Sequence, residues 1–152
     1  MIFGAHVSTA GGLHRAIENG EELRCDAIQI FLKNPNRWVG KSATLAEKET
    51  FKLSWGSSRI RTVVVHDIHL TNLASPKADV LSKSREQFLS QMQLADSLNI
   101  PYVVTHMGAY LDGGEVEGLK TLSKSLNMLF ERAVGGETIV LLETTAGQGT
   151  NL

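Results

Sequence analysis

Five short apolar runs, each followed by a polar stretch and then by helical periodicity, set the limits on how this chain can fold. They are Ile2–Val7, Ala27–Leu32, Thr62–Val65, Tyr102–Thr105 and Ile139–Leu142. The element order they imply is β-α-β-α-β-α-β-α-β. A run that is apolar at nearly every position reads as a strand buried on both faces, the habit of parallel sheets. Strands alternating with helices call for parallel pairing and right-handed crossovers. The expected class is therefore α/β, with about five parallel strands, four helices and no internal linker. In such an array the helices pack against the sheet, and the polar loops at the strand C-termini gather on one rim, where sites form.

The segments between the runs support this order. After the turn Ala10-Gly11-Gly12, the residues Leu13, Ala16, Ile17, Gly20 and Leu23 fall at helical spacing. Thr44 and Glu47 spell a capping box, in which side chain and backbone satisfy each other at a helix start. Ser75-Pro76 reads as a cap followed by a first-turn proline. Beyond it Leu81, Ser84, Phe88, Met92, Ala95 and Leu98 face one way. A last helix from Glu115 to Arg132 is expected to turn Leu119, Leu122, Leu126, Leu129 and Phe130 inward.

With 152 residues, 42% apolar and 20% charged, the chain can bury a real core. No apolar run approaches a membrane span, and no leader pattern opens the chain. One cysteine, Cys25, excludes an internal disulfide framework and fits a reducing compartment, so a cytoplasmic location is expected. Cys25 itself reads as a small buried apolar residue. A net charge of −1 provides no global positive field. A nucleic-acid partner would have to be held by local basic loops or by metal ions.

Three of the runs end in metal-type residues: His66, His106 and Glu143. They are 40 and 37 residues apart, one βα unit each. Neighbouring strand ends converge on one rim, so the three can meet. Two imidazoles and a carboxylate suit zinc, or manganese or iron, and leave a coordination position open. A bound cation acidifies its water and so provides hydroxide near neutral pH. A hydrogen-bonded structural histidine is the competing reading at His66 and at His106.

Five stretches in order, GAHVSTAGGL (Gly4–Leu13), QIFLKNPNRW (Gln29–Trp38), VVVHDIHLTNLASP (Val63–Pro76), THMGAYL (Thr105–Leu111) and LLETTAGQGTNL (Leu141–Leu152), together resemble the endonuclease IV family. These are metal-dependent apurinic/apyrimidinic (AP) endonucleases of base-excision repair. The resemblance runs the length of the chain. It implies a TIM (β/α)8 barrel of the xylose-isomerase-like superfamily. It places His66, His106 and Glu143 on zinc-ligand positions of a trinuclear site, with Glu143 as the carboxylate bridging two ions. It implies that the activated water attacks the phosphate 5′ to an abasic site, leaving a 3′-hydroxyl and a 5′-deoxyribose phosphate. The partner implied is double-stranded DNA with abasic sites, gripped by loops that hold the abasic nucleotide out of the helix.

Those loops are present in altered form. Gly11 and Gly12 keep the close-approach turn. Asn36-Arg37-Trp38 carries the family's loop arginine one position later, so Arg37 is expected to contact phosphate or fill the gap in the stack, or else to be a solvated loop residue. His69, followed by Leu70, stands where the family commonly has an intercalating tyrosine, and Met107 replaces a usual proline. His6 reads as a residue that orients a ligand or phosphate from behind, or as a hydrogen-bonded structural histidine. Gln148 and Asn151 match the closing motif and read as loop-shaping.

A full barrel needs roughly 250 residues. The chain is accordingly expected to be the N-terminal portion of one barrel domain, with the later strands and their ligands absent. An incomplete barrel leaves edges that favour self-association, and the isolated chain is expected to be inactive. Two alternatives remain: a sugar isomerase or epimerase on the same barrel, and a non-catalytic half-barrel that binds zinc or DNA weakly.

Overall fold

The computed structural model describes residues 1–40, 42–133 and 135–152. Its elements run β1 (Gly4–His6), α1 (Leu13–Glu22), β2 (Ala27–Ile30), α2 (Leu45–Gly56), β3 (Thr62–His66), α3 (Ala78–Ser97), β4 (Tyr102–His106), α4 (Glu115–Arg132) and β5 (Ile139–Glu143). The five strands form one sheet in chain order, β1-β2-β3-β4-β5, and every pair is parallel. This is the open βα array that the apolar runs imply: about five strands and four helices of a barrel.

Side chains alternate across a strand. Ile28, Ile30, Val63, Val65 and Val103 lie on the helix-covered side and are buried. They share one core with Ala16 and Ile17 of α1, Phe51 of α2, Phe88, Met92 and Ala95 of α3, and Leu122 and Leu129 of α4. The opposite side carries Val64 and Val104 and is only half buried. The functional rim therefore grows from the concave side of the sheet. Cys25 is buried in the core, as its size and polarity suggest.

The capping box forms as read: Thr44 Oγ1 accepts from Glu47 N at 3.2 Å, and Glu47 Oε2 accepts from Thr44 N at 2.7 Å. Several boundaries differ. The first strand is three residues, because Ile2 and Phe3 project into solvent at the sheet edge. The second stops at Ile30, and Phe31 and Leu32 belong to its exit loop. The third helix begins at Ala78, with Lys77 at the cap position and no side-chain cap. Ser75 is spent earlier: its Oγ accepts from Lys77 N at 3.1 Å within the preceding turn, so Pro76 stands outside the helix.

Two burial expectations are corrected. Leu119 and Phe130 of α4 are exposed, although Leu122 and Leu129 are buried. The last strand is not buried on both faces: Ile139, Leu141 and Leu142 are 55%, 39% and 45% exposed. For the strand the cause is its place: β5 pairs with β4, and none of the described residues pairs with its far edge.

Candidate metal centre

The pairing register brings the strand ends level. His106 sits opposite Glu143, and His66 opposite Val104, two residues before His106. Residues two apart point to the same face, so all three side chains rise on the concave side. Each offers one ligand atom, and these atoms lie within 4.8 Å of one another. Glu143 Oε2 is 3.2 Å from His66 Nε2 and 3.9 Å from His106 Nδ1. Donors bound tetrahedrally at about 2.1 Å would lie about 3.4 Å apart, so the spacing suits a single ion.

Two further observations test the fit. His106 Nδ1 is buried and has no hydrogen-bond partner among the described residues; 3.9 Å from the carboxylate is too long for one. An unpaired buried nitrogen is costly unless something else takes its lone pair. His66 has the opposite arrangement. Its Nδ1 bonds the Asp67 carbonyl at 2.7 Å, and because a carbonyl only accepts, Nδ1–H donates there; Nε2 faces Glu143 Oε2 at 3.2 Å. The donor set is therefore two imidazoles and a carboxylate, types that a divalent ion accepts.

Asp67 follows His66 into the interior. Its Oδ1 accepts from Ile68 N at 2.7 Å and its Oδ2 from Thr105 Oγ1 at 3.2 Å. Burial pushes this carboxyl above its usual range, against those hydrogen bonds. Lys33 lies nearby, its ammonium held below its usual value by partial burial and favoured by the Asp67 charge.

Loops join the ligands sideways. Asn72 Nδ2 donates to Ala109 O at 2.9 Å, while Asn72 Oδ1 accepts from Ala74 N and Ala109 N at 3.1 Å each. The loop after β4 is tied in turn to the closing segment: Tyr110 N donates to Thr150 O and Leu152 N to Gly108 O, both at 3.0 Å. Over these loops opens a cleft of about 580 Å³, bordered by His66, His69, His106, Thr145, Gln148 and Asn151.

The remaining residues singled out in the sequence lie on the same rim. Gly11 and Gly12 have φ of +89° and +128°, which glycine adopts freely. Asn36 and Arg37 are exposed in the loop after β2. His69 is exposed and Leu70 half buried, and His69 N donates to Pro35 O at 3.0 Å, which joins the second and third loops. The His69 ring meets Phe31 edge-on at 5.3 Å. His6 bonds Gln29 Oε1 at 3.1 Å and packs on Phe31 at 4.5 Å; its ring lies 6.4 Å from that of His66. Desolvation lowers the His6 pKa, the bond to Gln29 opposes this, and the His66 and His69 charges add to the lowering.

Sequence reading passed over Asp67, Asn72, Gln87 and Gln91, all of which tie down the ligand-bearing backbone. Two glutamines one turn apart, flanked by the core residues Phe88 and Met92, were the available signal.

Comparison with known proteins places the fold. Residues 17–152 match the family described as xylose isomerase-like TIM barrel. A protein of Chloroflexus aggregans named "Probable endonuclease 4" is 42% identical over 150 residues, covering 99% of this chain and 52% of the relative. The crystal structure of endonuclease IV from Thermus thermophilus superposes with a TM-score of 0.87 at 26% identity, covering all of this chain and 55% of that one. A D-psicose 3-epimerase shares the fold alone, with a TM-score of 0.71 at 16% identity over 95% of this chain and 52% of its own. The chain thus spans about half the length of the relatives it matches. It belongs to the xylose isomerase-like TIM barrel family, and within that family it resembles endonuclease IV.

Proposed function

We propose that this chain supplies part of the metal centre of an endonuclease that hydrolyses duplex DNA 5′ to an abasic site. The products would be a 3′-hydroxyl and a 5′-deoxyribose phosphate. Residues 1–152 are read as the N-terminal portion of one barrel domain whose later strands carry further ligands. The observation that carries this reading is the meeting of His66, His106 and Glu143 at three successive strand ends, in a chain whose relatives are named endonuclease 4.

His66 through Nε2, His106 through Nδ1 and Glu143 through a carboxylate oxygen would hold the ion, with zinc the ion proposed and manganese or iron suited to the same donors. When bound, the metal supplies positive charge against the phosphate and brings the pKa of a water toward neutrality. Glu143 would keep a second carboxylate oxygen available for a further ion, the role that the resemblance to endonuclease IV implies for it. Gly11 and Gly12 let backbone approach the DNA closely. Asn36 and Arg37 meet phosphate, and His69 with Leu70 fills the space beside the displaced nucleotide. His6 steadies the first loop through Gln29 and Phe31. The 152-residue chain alone is proposed not to incise, because it holds only part of the donor set.

The test uses the complete protein and a labelled duplex with one abasic analogue. Incision on the 5′ side, lost on chelation and restored by zinc, is expected. His66→Ala and Glu143→Ala should each slow it more than the roughly 10–100-fold typical of outer-shell changes. Near-normal incision by either variant removes the ligand assignment. Turnover of a ketose without incision would move the protein to the epimerase chemistry of its fold neighbours.

A further inference from the structure

Beneath His66 lies a line of hydrogen bonds that no part of the proposed reaction uses. Lys33 Nζ donates to Gln87 Oε1 at 3.0 Å. Gln87 Nε2 donates to Gln91 Oε1 at 3.1 Å, and Gln91 Nε2 donates to the His66 carbonyl at 3.1 Å. The direction of this line is forced. An ammonium only donates and a carbonyl only accepts, so each amide between them has a single orientation. Gln91 is fully buried and Gln87 nearly so. Gln87 Nε2 also approaches Asp67 Oδ1, at 3.5 Å.

The line ends on the peptide that carries the ligand. Asp67, 1% exposed, is held at three points: its N–H donates to Val104 O at 2.8 Å, and its two carboxylate oxygens accept from Ile68 N and Thr105 Oγ1. The Asp67 carbonyl then accepts from His66 Nδ1–H at 2.7 Å. The carbonyls of His66 and Asp67 are thus both occupied. One is fixed by α3, and the other fixes the imidazole. Each side chain along the line has at least one hydrogen-bond partner, as burial of a polar network requires.

We propose that Gln91 and Asp67 are positioning residues of the metal centre. Through the two carbonyls they hold the His66 ring so that Nε2 alone is presented to the ion. The inference rests on the reading of His66 as a ligand. It predicts a property of the metal-free chain as well: of the two acceptors around the ring, the Asp67 carbonyl at 2.7 Å is nearer than Glu143 Oε2 at 3.2 Å and holds the proton on Nδ1. A merely structural role for the two side chains would lower stability and leave both the tautomer and the affinity unchanged.

The experiment uses the 152-residue chain with 15N-labelled histidine. Long-range 15N–1H correlation at about pH 8, above the ordinary imidazole range, reads which His66 nitrogen is protonated. Zinc affinity is measured separately by calorimetry. The wild-type chain is expected to show the Nδ1–H form. Gln91→Met, which keeps the packing but removes the donor, and Asp67→Asn are each expected to weaken zinc binding by about 10–100-fold and to mix the tautomers. Thr105→Val removes one donor to Asp67 and serves if either variant fails to fold. Folded variants that melt lower but keep wild-type zinc affinity and a pure Nδ1–H signal overturn the proposal. A wild-type chain that binds no zinc counts against the metal centre itself, and the tautomer then decides the positioning claim alone.

Discussion

At Asn72 one side-chain amide holds two loops together, and its neighbour on the other loop has to be glycine. Gly108 adopts φ +99°, and a Cβ there would overlap Asn72 Oδ1, which is already engaged by Ala74 N and Ala109 N. Gly108→Ala should therefore destabilise the chain by about 1–3 kcal/mol, measured by urea unfolding. It should also displace the Met107–Leu111 loop that follows His106. A change under about 0.5 kcal/mol would show that the clasp yields easily. The meeting of the three candidate donors was legible at this scale, because residue type and position at a strand end are both written in the chain. His66, His106 and Glu143 each close an apolar run. Asp67 and Gln91 were not legible. Whether a glutamine on a core-facing stripe meets a carbonyl depends on how α3 is rotated over β3, and no periodicity records that angle.

Among the elements, β1 shows how a three-residue edge strand is fixed. Phe3 N donates to Asp26 Oδ2 at 3.1 Å, and Asp26 N and Ala27 N return bonds to Phe3 O at 2.7 and 3.2 Å. The bond from Phe3 is the main reason the Asp26 carboxyl lies below its usual value, with Arg59 assisting. The sign follows from linkage. A carboxyl depressed in the folded state contributes stability above its unfolded pKa of about 3.9 and loses it as pH falls through the folded value. Wild type and Asp26→Ala should thus differ in unfolding midpoint at pH 6 and converge in strong acid. A difference that persists unchanged below the folded pKa would contradict this. The order of elements was legible because helix and strand periods differ. Burial was less so: Leu119 and Phe130 share the apolar stripe of Leu122 and Leu129, but a stripe does not state how much of it a neighbour covers. The same holds for β5, whose composition is that of an interior strand and whose place is an edge.

Across the whole molecule, the candidate centre links folding to metal. Its three donors come together only in the folded chain, so an ion held by all three stabilises that state. At a hundred times its dissociation constant, zinc should add about 2.7 kcal/mol. For a chain of this size that is a rise in Tm of roughly 5–10 °C, reversed by a chelator and absent in Glu143→Ala. Equal shifts in wild type and variant would place the ion elsewhere. The sheet is laid down in the order in which it is translated. Each new strand finds its partner already made, but Glu143 leaves the ribosome last of the three donors. On the proposed ligand assignment, a nascent chain with two histidines on an unfinished edge would hold a metal only loosely, and tight capture would wait until the fifth strand docks.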